Sequence, residues 1–262
     1  MNPDAHEILP GEKPLERLVG EYSFTSIFRT IAFVGDSLSS GEFQVRDPDG
    51  TSRYYDMFEY SWGQFIARKN GLTGYNFSRG GMTAKEYMES YAESRGFWRT
   101  DKAAQAYVIA LGVNDLFYRN IPLGNIHDVH PEDWRKNAQT FAGYYGQIVS
   151  RYKEISPDAK FFFLTYLRTP DENRNAISEK MAELLYDLAR VFDNAYVCDL
   201  YRYAPPSDEA FREKYHLCGH MNPMGYVFAA HLIDSYIDYI IRSNLQDFKT
   251  VGFINSGIRY KQ

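Results

Sequence analysis

Short apolar runs recur along the chain, each closed by glycine or a polar turn, and longer stretches with apolar residues three and four apart lie between them. The runs Ile31–Gly35, Gly74–Phe77, Tyr107–Leu111, Phe161–Tyr166 and Tyr196–Leu200 suit strands buried on both faces of a parallel sheet, the second carrying the weakest pattern. The intervening periodicity predicts helices over about Met57–Lys69, Ala84–Ser94, Trp134–Glu154 and Arg174–Phe192. After the fifth run, Asn222 supplies an N-cap and Pro223 a first helical residue, with Tyr226, Ile233, Ile237 and Ile240 on one face, so a last helix runs to about Arg242. Strand and helix alternate, and right-handed crossovers then place helices on both sides of the sheet. The expected fold is α/β, a flavodoxin-like three-layer α/β/α sandwich on about five parallel strands.

Three segments fall outside the pattern. Residues 1–30, with Pro10, Gly11 and Pro14, read as an irregular N-terminal arm, and residues 244–262 as a tail suited to a short strand or a partner contact. The stretch Arg46–Tyr55, with its Asp-Pro-Asp-Gly turn, reads as a loop inserted after the first strand, where it would line a pocket. A length of 262 residues suits one undivided α/β domain.

Charge and composition narrow the partners. The formal net charge of −5 leaves no basic footprint for nucleic acid. Cys198 and Cys218, the only cysteines, stand in no CxxC or metal-ligand spacing, which argues against a disulfide framework or zinc site and fits a reducing compartment. The N-terminus lacks the basic start and apolar core of a secretory leader, and no run approaches the roughly 20 apolar residues of a spanning helix. A cytoplasmic protein without membrane contact is expected, its oligomeric state left open. The 22 tyrosines serve packing first, yet each offers the flat face and polar tip found in sugar clefts.

Loops leaving the carboxyl ends of parallel strands share one sheet edge, where ligands bind. The first strand delivers Gly35-Asp36-Ser37-Leu38 there, the second Ser78-Arg79-Gly80-Gly81 and the third Gly112-Val113-Asn114-Asp115, and the chain after the fifth leads to His220. Acyl transfer needs this set: a hydroxyl, a base to take its proton, and donors for the oxyanion. Ser37 can present both Oγ and its own N–H, Gly81 lets a backbone N–H approach closely, and Asn114 has a side-chain amide to donate.

At these residues the sequence resembles the GDSL/SGNH hydrolase family, whose blocks centre on Ser, Gly, Asn and His in that chain order. Gly35–Leu38 is a literal GDSL; residues 76–83, NFSRGGMT, resemble the second block; Gly112–Asp115 is the GxND of the third; and His220-Met221-Asn222-Pro223-Met224-Gly225-Tyr226 is similar to the His-x-Asn-x-x-Gly-Tyr opening the last helix. The resemblance implies a serine esterase with Ser37 and His220 catalytic, Ser37, Gly81 and Asn114 forming the oxyanion hole, and neither cofactor nor metal. Gly80 is the alternative to Gly81; Gly81 is preferred because the family's glycine precedes x-Thr. One position departs from the family: Leu217 stands where an Asp usually precedes the catalytic His by three. Asp208, Glu209 or Glu213 would be the nearest substitute acids; a backbone carbonyl holding the His220 Nδ1 proton, leaving a Ser-His dyad, is the preferred reading.

Other residues have plainer readings. Asp36 and Asp115 are turn residues with local hydrogen bonds and receive no chemical role. His216, four before His220, is an alternative base but lacks the third ligand of a metal site. His127 and His130 belong to a loop, and Arg168 to an exposed or paired position. The implied substrate is a carboxylic ester of a short acyl group, with carbohydrate O-acetyl esters among the candidates. Thioesterase or lysophospholipase activity at the same site, or an inert module that binds an acylated sugar or a partner, are the alternatives.

Overall fold

The computed structural model describes residues 8–130 and 132–258. In chain order the first half comprises β1 (Thr30–Gly35), α1 (Ser37–Ser40), β2 (Glu42–Arg46), β3 (Ser52–Asp56), α2 (Trp62–Asn70), β4 (Thr73–Ser78), α3 (Ala84–Glu86), a π-turn (Tyr87–Tyr91), α4 (Ala92–Ser94) and β5 (Ala106–Ala110). The second half comprises a π-turn (Asn114–Tyr118), α5 (Phe141–Ile155), β6 (Lys160–Leu164), α6 (Glu172–Val191), β7 (Ala195–Cys198), α7 (Leu200–Tyr203), α8 (Glu209–Tyr215), β8 (His216–Leu217), β9 (His220–Met221), α9 (Pro223–Ser243) and α10 (Leu245–Phe248).

The central sheet has five parallel strands in the order β4-β1-β5-β6-β7, the doubly wound arrangement expected from the alternation. Period-two alternation divides its side chains between two cores. Ala32, Val34, Tyr107, Ile109, Phe161 and Phe163 pack with Tyr145, Ile148, Met181 and Leu185 of α5 and α6. Ile31, Phe33, Val108, Phe162 and Leu164 pack with Trp62 and Ile66 of α2 and Ile233 and Ile237 of α9. Both faces of the sheet are therefore buried, which is why its strands read as continuous apolar runs.

Several expectations change. The stretch Arg46–Tyr55 is the tip and second strand of an antiparallel hairpin, β2 paired with β3, closed at the Asp-Pro-Asp-Gly turn where the Gly50 N–H donates to the Asp47 carbonyl at 2.9 Å. Among the described residues the tail adds no strand: α10 and a 3₁₀ turn at Val251–Phe253 seat Phe248, Val251 and Ile254 on the α9 side of the sheet, because the segment is apolar at helical spacing. The arm is docked. Its Val19 N–H donates to Ser235 Oγ of α9 at 2.9 Å, and Glu12 meets the Arg242 guanidinium at 2.8 Å. The helix expected over Ala84–Ser94 forms with a π-turn at its middle, and that expected from Met57 begins only at Trp62, where Ser61 caps it through the Gln64 N–H.

Candidate active site

Register brings the loops of the first three blocks together. Gly35 of β1 lies opposite Ser78 of β4 and Ala110 of β5, so three strands end at one level and release their loops side by side. Ser37 is the first residue of α1, with Asp36 as its N-cap: the Asp36 carboxylate accepts the Leu38 N–H at 3.1 Å, and the Asp36 carbonyl accepts those of Ser39 and Ser40. This leaves the Ser37 N–H and hydroxyl without a hydrogen bond among the described residues, both available to a substrate.

The oxyanion candidates sit on loops tied to each other. Gly81 has φ of 71°, the left-handed region that favours glycine, and its N–H has no partner among the described residues. The neighbouring Gly80 N–H donates instead to Asp56 of β3 at 3.3 Å, and a Cβ on Gly80 would fall 1.9 Å from Glu42 Oε2. Of the two glycines, Gly81 has the free donor. Asn114 spends one amide proton on the Met82 carbonyl at 3.0 Å and keeps a second to donate. Asp115 accepts the Ala84 N–H through both carboxylate oxygens, at 2.9 and 3.1 Å, fastening the third block to the loop of the second. Its bonds are long-range ones, not the local turn bonds expected for it.

Burial shifts both acids. Asp36 is fully buried, its Oδ2 has no partner among the described residues, and it lines a cavity of about 60 Å³ with Leu164, Met221, Leu232 and Ile233; desolvation pushes its pKa up to about 7. Desolvation likewise raises Asp115 to about 6, against the pull of the Ala84 N–H.

His220 lies on β9, the return strand of a two-residue hairpin whose turn holds Cys218 at a φ of 58°. The last block explains itself by packing. Asn222 caps α9 through the Gly225 N–H at 2.9 Å, Gly225 passes so close to the end of α8 that a Cβ would lie 2.2 Å from the Tyr215 carbonyl, and the Tyr226 hydroxyl donates to the Glu42 carbonyl at 2.7 Å. The imidazole points its Nε2 at Glu42 Oε1, 3.0 Å away, while its Nδ1 is buried without a partner among the described residues. No hydrogen bond joins His220 to Ser37 among the described residues, although α1 and β9 are in contact.

None of the acids nearest in sequence reaches His220. Asp208 caps α8 through the Phe211 N–H at 2.8 Å, Glu209 and Glu213 are exposed, and no carbonyl takes Nδ1 among the described residues. The acid beside the imidazole, Glu42, escapes a reading by sequence distance. The signal lay in the hairpin: with β2 and β3 paired, Glu42, Gln44, Tyr54 and Asp56 share one face. That face meets the site at each residue. Gln44 accepts the Gly219 N–H at 2.8 Å, the Tyr54 ring stands edge-on to His220 with centroids 5.9 Å apart, and Asp56 accepts hydrogen bonds from Gly80 and from the Ser40 hydroxyl.

The remaining candidates separate. His216 is partly buried beside Phe211, and burial lowers its pKa to about 4, keeping it neutral. His130 Nδ1 accepts the Glu132 and Asp133 N–H groups and so organises its own loop, while His127 and Arg168 are exposed. Both cysteines are free, Cys198 buried in the sheet and Cys218 exposed. Among the described residues no His, Cys, Asp or Glu cluster could hold a metal, and no helix is long and apolar enough to cross a membrane.

The fold and its blocks define a carboxylic ester hydrolase. The chain belongs to the GDSL-like Lipase/Acylhydrolase family, whose pattern matches residues 33–228. Solved structures share the fold at low identity. A family two carbohydrate esterase from Clostridium thermocellum in complex with cellohexaose is 19% identical, with TM-score 0.54 over 91% of this chain and 67% of that one. A carbohydrate esterase family 2 enzyme with a carbohydrate binding domain from Corynascus thermopiles is 15% identical, with TM-score 0.54 over 91% and 69%. A protein from Lactobacillus plantarum is 18% identical, with TM-score 0.53 over 81% and 97%. No curated protein matches the chain.

Proposed function

We propose that the protein hydrolyses carboxylic esters of short acyl groups through an acyl-enzyme on Ser37, with carbohydrate O-acetyl esters as the favoured substrate class. The observation that carries the reading is the convergence at one sheet edge of an unengaged Ser37 hydroxyl, two free backbone donors at Ser37 and Gly81, and the spare amide proton of Asn114. In this reading His220 takes the Ser37 proton as Oγ attacks the acyl carbon, and the three donors hold the oxyanion. Breakage of the ester C–O bond returns that proton to the departing alcohol, and His220 then activates water to release the acid. No step requires a cofactor.

Two features support a carbohydrate alcohol. The exposed Tyr54 presents a ring beside His220, where a sugar bearing the ester would lie flat against it. The Clostridium thermocellum and Corynascus thermopiles neighbours are carbohydrate esterases. The decisive experiment compares the parent with Ser37→Ala and His220→Ala on p-nitrophenyl acetate, then on acetylated sugars, acyl thioesters and lysophospholipids. Loss of turnover in both variants and preference for acetylated sugars is expected. Full rate in Ser37→Ala would overturn the nucleophile, and hydrolysis of thioesters alone would overturn the substrate class.

A further inference from the structure

Glu42 is 8% exposed, and the His220 Nε2 stands 3.0 Å from its Oε1. A carboxylate in so enclosed a position gains from a protonated nitrogen beside it. Several parts of the fold serve its placement. Gly41, at φ of 76° and with the Met57 carbonyl 2.5 Å from where its Cβ would be, turns the chain from α1 into β2. Gly80 leaves the space that Glu42 Oε2 occupies, and Tyr226 holds the Glu42 backbone from the same block that carries His220.

We propose that Glu42 is the positioning carboxylate of His220, supplied by the hairpin after the nucleophile in place of an acid at Leu217. The inference rests on the esterase reading above. A neutral imidazole has one donor and one acceptor nitrogen. With Nε2–H given to Glu42, Nδ1 is the acceptor, and it is the nitrogen left buried and unpartnered. In this assignment Nδ1 is the nitrogen that meets the unengaged Ser37 hydroxyl in the reacting complex, α1 and β9 being in contact. As the Oγ–acyl bond forms, the proton moves from Oγ to Nδ1; as the ester C–O bond breaks, it moves from Nδ1 to the leaving alkoxide. Throughout, Nε2–H stays on Glu42, whose charge stabilises the imidazolium. The ionisable groups around the ring are Glu42 from β2, Tyr54 from β3, Asp36 from the turn before α1 and His216 from β8.

The test uses the full chain and its Glu42→Gln, Glu42→Asp and Ser37→Ala variants, with thermal melting, the pH dependence of kcat and KM on p-nitrophenyl acetate, and ¹⁵N NMR of the histidine rings. Glu42→Gln is expected to lower kcat by up to about 10⁴-fold with little change in KM, the loss that removal of the orienting acid causes elsewhere. The acid limb of its pH profile moves to lower pH, because the charge favouring the imidazolium is gone. Glu42→Asp recovers part of the rate, and the parent spectrum shows the neutral His220 protonated at Nε2. A Glu42→Gln rate within about threefold of the parent, far short of the loss of an orienting acid, would overturn the proposal, as would an unmoved acid limb or a proton on Nδ1. Should Glu42→Gln fail to fold, Glu42→Asp and the parent's NMR tautomer still decide. Activity surviving in Ser37→Ala overturns the esterase reading itself, a separate outcome.

Discussion

The Asn114 side-chain amide donates to the Met82 carbonyl at 3.0 Å, so the residue offered to the oxyanion also holds the loop that carries Gly81. Removal should do two things at once. Asn114→Ala is expected to lower kcat by about 10²–10³-fold, the usual cost of one oxyanion donor, with further loss from the released loop. Asn114→Asp keeps the size but not the donor and should lose at least as much. Steady-state kinetics on p-nitrophenyl acetate check this, and a variant retaining a third or more of the parent kcat, far above the range for a lost donor, would remove Asn114 from the oxyanion hole.

The two adjacent glycines should respond differently to alanine. At Gly81 the Cβ enters open space, but φ of 71° strains the backbone by about 1–2 kcal/mol. At Gly80 the Cβ lands 1.9 Å from Glu42 Oε2 and displaces the carboxylate from His220. Gly80→Ala should therefore change the pH profile of kcat, and Gly81→Ala chiefly the melting temperature and the oxyanion contact. Identical pH profiles in parent and Gly80→Ala would contradict this division.

Much of this candidate site could be proposed without coordinates, because its parts sit directly after strands whose burial on both faces makes them conspicuous. Ser37, Gly81 and Asn114 follow β1, β4 and β5, and the register of Gly35 with Ser78 and Ala110 brings their loops to one level. What escaped was contact between elements that periodicity alone does not relate. Glu42 lies in a strand whose pattern is mixed, since one hairpin face meets a polar site and the other presents Phe43 to Tyr226. The docking of the arm was hidden for a related reason: its anchors, Glu12 and Val19, answer to Arg242 and Ser235, more than two hundred residues away.

Asp36 makes stability depend on pH. Burial raises its pKa from 3.8 to about 7, so between those values the folded chain keeps a proton that the unfolded chain has released. Its contribution to stability is therefore greatest at low pH, falls as pH rises through that window and is level above it. Asp115, raised to about 6, adds a slope of the same sign at lower pH. Asp36→Asn keeps an oxygen for the Leu38 N–H without a charge to bury. Its melting temperature should exceed the parent's at about pH 8 and converge with it toward about pH 4. A constant difference across that range would show that Asp36 ionises in the fold as it does in water.

The N-terminal arm should prove indispensable to α9. Arg242 is buried between Asp238, one helical turn away at 2.7 Å, and Glu12 of the arm at 2.8 Å. Replacing it with alanine strands two carboxylates, and breaking a buried pair in this way costs about 3–5 kcal/mol. Deleting the arm through Glu12 leaves the guanidinium buried with less countercharge, which should cost nearly as much. Glu12 itself is held below its ordinary pKa of 4.5, foremost by its hydrogen bond to Arg242. Its stabilisation is present above that value and is lost as pH falls through the lowered one. Glu12→Gln should accordingly destabilise the fold at neutral pH and lose that effect in acid. Chemical denaturation of parent and variant at the two pH values measures the difference directly, and equal destabilisation at both would mean that Glu12 acts by packing alone.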